Sequence, residues 1–239
     1  MLPIALSEFT QLFRNKLVLL TSLLLPVAIS ALFVYRHELF EKVGSLGYIA
    51  AVIMFVVTSL GLYTTMVTTL ASRRQNLLLK RLRSTPASDT SILMGLLLPV
   101  TALALAQVTA ILTVLAAVTK TPASVPLLAA TVVSTVIMML AFGLATAGLT
   151  NSPEHAQVTT LPVSLGTIGI ATWVGITGTE ELTQLKRLLP GGAATEVVLN
   201  AWDGGVPVAD SLRLLLPTLG WVVLAIVLAG RLFRWEPRR

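Results

Sequence analysis

The sequence predicts an all-α polytopic membrane protein with six transmembrane helices, and three observations predict it. Of its 239 residues, 55% are hydrophobic and only 12% are charged, against about 25% charged in an ordinary soluble domain. The mean hydropathy is +0.85. The apolar residues fall into six runs of about 20 residues, the length a helix needs to cross a bilayer, and charged residues collect between the runs. Residues 1–239 therefore read as a single transmembrane domain with no separate soluble one.

Taken in order, the chain opens on an amphipathic helix over 1–16. Leu2, Leu6, Phe9 and Phe13 share one face, and Ser7, Glu8, Gln11, Arg14 and Asn15 the other, the pattern of a helix lying in the membrane interface. Polar residues precede its apolar run and no small-residue cleavage site follows, so it does not read as a signal peptide. The spans follow at 17–35, 47–71, 92–118, 127–149, 158–176 and 212–232. Pro26 predicts a kink in the first. The second ends in a hydroxyl-rich half, and Thr64, Thr65 and Thr68, with Gln107 of the third span, are candidates to line a substrate path. The competing reading is that such groups bond to backbone or across helices. Gly143-x-x-x-Ala147 offers the fourth span a small-residue packing surface. Thr150–Gln157 is a short loop.

The stretch 177–205 is too polar for a simple span and too apolar for a plain loop. Thr177-x-x-Glu180 has the form of a capping box, followed by Leu182, Leu185, Leu188 and Leu189 at helical spacing. Pro190-Gly191-Gly192 breaks that helix, and a second short one follows to Trp202. Two helices of about 10 residues cannot each cross about 30 Å of hydrocarbon. A hairpin dipping into one leaflet fits, with Leu185, Leu189, Pro190, Gly191 and Gly192 as an outer gate.

The most basic segment is 72–86, SRRQNLLLKRLRSTP, with five cations and no acid. As one helix it places Arg73, Arg74, Lys80 and Arg81 on a single face around Leu77, with Leu78, Leu79 and Leu82 opposite. An apolar centre within a charged rim is how interface anchors are commonly built. The plainer alternative is a positive loop resting on anionic headgroups. This segment, with the span after it, resembles the first cytoplasmic loop of ABC-2 type exporter permeases. Leu79, Leu82, Thr85, Pro86 and Gly95 match the pattern of that loop, whereas Arg73 stands where the family often has Glu and Leu77 where it often has Gly. The resemblance implies a coupling helix at 72–86, contacting a separate ATP-binding cassette ATPase through Arg73, Arg74, Leu77, Lys80 and Arg81. It implies a second permease subunit, as homodimer or heterodimer, and a re-entrant hairpin before the last span. It implies further that ATP and Mg sit on the partner, with no cofactor held by this chain.

The remaining chemistry is narrow. No lysine follows a glycine, so a Walker A motif is impossible. The interiors of the proposed spans carry no Asp, Glu, Lys, Arg or His (Arg213 and Arg231 stand at the two ends of the sixth), which argues against ion-coupled carriers. Cysteine is absent, and His37 and His155 fall on opposite sides of the predicted topology, so no metal site forms. With both termini on one side, eleven cations flank the inner ends of the spans and six the outer ends, which predicts cytoplasmic termini; the family resemblance implies that the membrane is a bacterial plasma membrane. Membrane lipids then explain the basic balance better than nucleic acid does. The function expected is the membrane subunit of an ATP-driven exporter for an amphipathic or apolar substrate such as a drug, a lipid or a lipid-linked molecule. The alternatives are a substrate-binding membrane module of another transporter and an integral membrane lipid-modifying enzyme.

Overall fold

The computed structural model describes residues 2–233 and Trp235. The side chain of Leu2, predicted on the apolar face of the first helix, and the predicted tail cations Arg234, Arg238 and Arg239 lie outside what is described. Helix makes up 83% of the chain, and no strand occurs among the described residues. The elements are α1 (Leu2–Arg14), α2 (16–35), α3 (His37–Glu41), α4 (Leu46–Gln75), α5 (Leu78–Arg83), α6 (Asp89–Val118), α7 (Val125–Leu149), α8 (Pro153–Thr177, stepping at Thr160), α9 (Thr183–Leu188), α10 (Gly192–Asp203) and α11 (Val208–Leu232, stepping at Leu214). Five of these, α4, α6, α7, α8 and α11, are long and apolar enough to cross a membrane, and the apolar part of α2, Leu20–Tyr35, is shorter.

α4 is the centre of the bundle. In its most apolar stretch 89% of the residues are buried, against 33% in α6 and α8 and 28% in α11. It packs on α6, α7, α8 and α10, while α7 and α11 run against each other along their length. The outer helices turn Leu98, Val114, Val133, Leu165, Leu216, Val223 and Ile226 outward, as helices solvated by lipid must.

Two wide π-helical turns face one another inside this packing, Leu20–Leu24 of α2 and Val57–Tyr63 of α4. The first lies just before Pro26, which has no N–H to offer the carbonyl of Ser22 and whose ring crowds it. Here the helix widens into the π-helical turn. Gly61 of α4 then closes on the opening: a Cβ there would lie 3.2 Å from the Ser22 carbonyl oxygen. Gln107 of α6 donates to the Leu23 carbonyl at 3.4 Å. The wide turn before Pro26 is thus packed closely by α4 and hydrogen-bonded by α6.

Several predicted boundaries move. The second span continues to Gln75, the third starts at Asp89 and the fourth at Val125. Most of the loop predicted at Thr150–Gln157 is helical, because Ser152 caps the next helix by accepting from His155 N–H at 3.2 Å. The capping box at Thr177 is wrong. Thr177 ends α8, its hydroxyl donates back to the Trp173 carbonyl at 2.8 Å, and the following helix starts only at Thr183, after Leu182 in the left-handed region.

Candidate functional site

The basic segment sits at the end of the bundle that also carries α1 and the start of α8. It is not one helix. α4 runs through Gln75, Leu77 turns into the left-handed region at φ 57°, and a new six-residue helix, α5, runs from Leu78 to Arg83. Leu77 N–H donates to the Arg74 carbonyl at 3.0 Å, so Leu77 holds the position after a helix end that glycine usually takes. A leucine there carries roughly 1 kcal/mol or more of backbone strain. The predicted single face around Leu77 is therefore broken at Leu77 itself. Beyond the break, Leu79 is buried and Leu82 partly buried against the core, while Lys80, Arg81 and Arg83 are exposed, and Leu77 is 48% exposed.

Arg73 and Arg74 do not join that exposed surface. Arg73 turns toward α1, where its Nη2 lies 2.8 Å from the Glu8 carboxylate and also donates to Gln11 Oε1. Arg74 is buried, and its Nη2 donates to the carbonyls of Ala147, at 2.8 Å, and Thr150. Both carbonyls lie at the C-terminal end of α7, where Ala147 also accepts from Thr150 N–H at 3.3 Å, and a cation there meets the negative end of the helix dipole. The stem of the basic segment is thus tied to α1 by one arginine and to α7 by the next. Neither tie is visible from spacing. The available signal was Glu8, an unmatched acid near the chain start opposite a loop of unmatched cations.

α1 presents Leu6, Phe9 and Phe13 outward and buries Ala5, Glu8 and Leu12. Between α1, the last turns of α4 and the start of α8 lies a cleft of about 680 Å³, walled by Arg14, Lys16, Thr68, Ser72, Arg73 and Glu154 among others.

The four candidates for a substrate path are not brought together. Thr64 donates to the Ser59 carbonyl at 2.9 Å, closing the wide turn of α4. Thr65 is buried, and its hydroxyl has no partner among the described residues. Thr68 bonds to the Thr64 carbonyl and lines the cleft beside α1, and Gln107 is engaged with Leu23. A second cavity of about 420 Å³, apolar and formed by α6, α7 and Trp202, includes none of them. The hydroxyls of α4 instead link helices: Ser59 to Thr167 and Tyr63 to Thr146, each at 2.9 Å.

At the other end of the bundle the stretch after α8 forms two unequal arms. α9 is short and turns Leu185 and Leu188 outward, whereas α10 is almost wholly buried against α4, α7 and α8. The turn between them depends on its glycines. Gly191 has φ 97°, and a Cβ on Gly192 would lie 1.7 Å from the Lys186 carbonyl oxygen. Arg187 binds Glu196 across the turn at 2.6 and 2.7 Å, and that hydrogen bond raises its pKa further. Lys186, buried, donates to Thr177 Oγ1 and to the Gly178 carbonyl, both at 2.8 Å. Trp221 of α11 donates to the Leu188 carbonyl at 2.7 Å. Asp203 closes α10 onto the start of α4, accepting from Ser45 Oγ at 2.6 Å and Gly47 N–H at 3.1 Å.

The fold is that of a multi-pass helical membrane protein. Over residues 16–233 the chain matches the family model described as ABC-2 family transporter protein, and it belongs to that family. Members are membrane transport modules, not themselves catalytic, that work with an ATPase partner. No curated protein matches the chain.

Proposed function

We propose that this chain is the transmembrane subunit of an ATP-driven exporter, paired with a second permease subunit and driven by a separate ATP-binding cassette ATPase that holds ATP and Mg. It acts in a bacterial plasma membrane with both termini cytoplasmic. The sixth span is α2: its 20 helical residues, 16–35, reach about 30 Å at 1.5 Å per residue, which matches the hydrocarbon core. The stretch 177–205 is the outer lid, with α9 as its movable arm and α10 as the arm held in the bundle. The cargo is amphipathic or apolar, since the span interiors carry no charge to bind an ion.

The observation that carries the reading is α5, a short helix at the basic end that buries Leu79 and Leu82 and leaves Leu77, Lys80 and Arg81 facing outward. A permease with no nucleotide site needs a contact that transmits ATPase motion. α5 sits directly on α4, the helix most enclosed by the others. Co-purification with the ATPase subunit and ATPase stimulation in nanodiscs test it. Leu77→Asp should weaken the complex by about 1–3 kcal/mol. Normal coupling in that variant, with coupling lost on substitution within 150–157, would move the docking site to the other loop.

A further inference from the structure

We propose that the cleft between α1, α4 and α8 holds the phosphate of an anionic phospholipid, bound between Arg14 and Lys16. Three observations converge on it. First, α1 exposes Leu6, Phe9 and Phe13, an apolar face that seats this helix at the membrane interface, so the cleft beside it opens at headgroup depth. Second, the cleft is roomy, about 680 Å³, and walled by charged and hydroxyl groups with an apolar flank at Leu12 and Val18. Third, its charges are not balanced. Three cations and two acids line it; Arg73 pairs with Glu8, which leaves Arg14 and Lys16 against Glu154, and neither cation makes an ion pair among the described residues.

A phosphodiester fills that role by chemistry. It offers oxygens that accept charge-assisted hydrogen bonds, and Thr68 and Ser72 supply neutral donors on the same wall. Its acyl chains continue past Leu12 and Val18 into the bilayer. Glu154, which lines the cleft from the first turn of α8, sets a limit: a headgroup with further negative charge beyond its phosphate is repelled there. The occupant is therefore a singly charged phospholipid. It would seat α1, which through Glu8 and Gln11 holds Arg73 at the root of the basic segment.

The test is native mass spectrometry of the full chain purified in detergent, titrated with phosphatidylglycerol, with phosphatidylcholine and with inorganic phosphate. The chain should retain one phosphatidylglycerol under activation that strips phosphatidylcholine. Arg14→Gln with Lys16→Gln should lower retention about tenfold or more. Arg14→Lys with Lys16→Arg should restore it, Glu154→Gln should raise it, and Arg81→Gln should leave it unchanged. Equal retention of the two lipids, full retention by the double glutamine variant, or an equal loss with Arg81→Gln would overturn the site. Displacement of the lipid by millimolar inorganic phosphate would reassign the cleft to a free anion and overturn the lipid as its source.

Discussion

Arg74 stands on the second of the long apolar helices to be read in the sequence and caps the fourth: its guanidinium donates to the Ala147 carbonyl at 2.8 Å. Because Thr150 accepts from the same nitrogen, the end of α7 and the turn leading into α8 are held by one side chain. Arg74 sits three residues before the break at Leu77. The helix that leads into α5 is therefore linked to the end of α7 and to the turn before α8. Replacing Arg74 by Gln should cost about 2–3 kcal/mol, read as a lowered melting temperature in detergent. Lysine should recover only part of it, since an ammonium cannot reproduce the planar donor pair.

The Glu8–Arg73 pair is tested by a double-mutant cycle. Its side chains are only 5% and 17% exposed, so removing one partner strands the other. Glu8→Gln and Arg73→Gln should each destabilise, and the double variant should lose less than their sum, with a coupling of about 1–3 kcal/mol. A coupling near zero would mean that α1 is held by its apolar contacts alone.

Leu77 carries two roles that separate cleanly. Asparagine tolerates the left-handed region better than leucine, so Leu77→Asn should leave the melting temperature unchanged or raise it by the equivalent of about 0.5–1 kcal/mol. The same change removes the exposed apolar group, so ATPase stimulation should fall. Leu79→Asp and Leu82→Asp should instead impair folding and yield, because both side chains pack on the core. Lost stimulation with unchanged stability in the Leu77 variant, and lost stability and yield in the Leu82 variant, is the expected pattern.

At the other end, alanine at the turn is not a gentle substitution. Gly191→Ala meets a strained φ and Gly192→Ala meets the Lys186 carbonyl, so both should misfold the hairpin. Trp221→Phe keeps the ring and removes the bond to Leu188. Amide exchange across Thr183–Leu189 should then speed up while α10 stays protected. Slower or unchanged exchange would show that α9 is not held by α11.

Topology has a clean assay because the chain contains no cysteine. Single cysteines at Ser84 and Glu181, both exposed, should react with a membrane-impermeant maleimide from opposite sides in intact and inverted vesicles. Labelling of both from one side would remove the six-span arrangement.

The long apolar helices were legible because bilayer thickness fixes their length and desolvation fixes their composition. The apolar face of α1 was legible for the same reason, through Leu6, Phe9 and Phe13. What escaped reading depends on contacts that a helical wheel does not carry. Arg73 and Arg74 look alike to a helical wheel, yet each is claimed by a different element. Thr177 has the spacing of a helix start, but the end of α8 takes it first. Gln107 and Thr64 resemble a polar path, and both donate to carbonyls of the wide turns. The glycine missing at Leu77 was the most readable clue to the break, since only a position with positive φ selects that residue so strongly.

The burial of α4 has a consequence for how the protein is made. A ribosome that adds 5–20 residues each second finishes α4 well before it reaches α7, α8 and α10, the partners that enclose it. For an interval on the order of ten seconds the newly inserted α4 meets lipid where it will later meet protein. Ser59 and Tyr63 then have no Thr167 or Thr146 to bond, and Gly61 has only α2 beside it. The finished bundle forms when α10 closes over α4 and Asp203 reaches Ser45. Chains terminated before that point would carry their most buried helix bare, as a mark that membrane quality control can recognise.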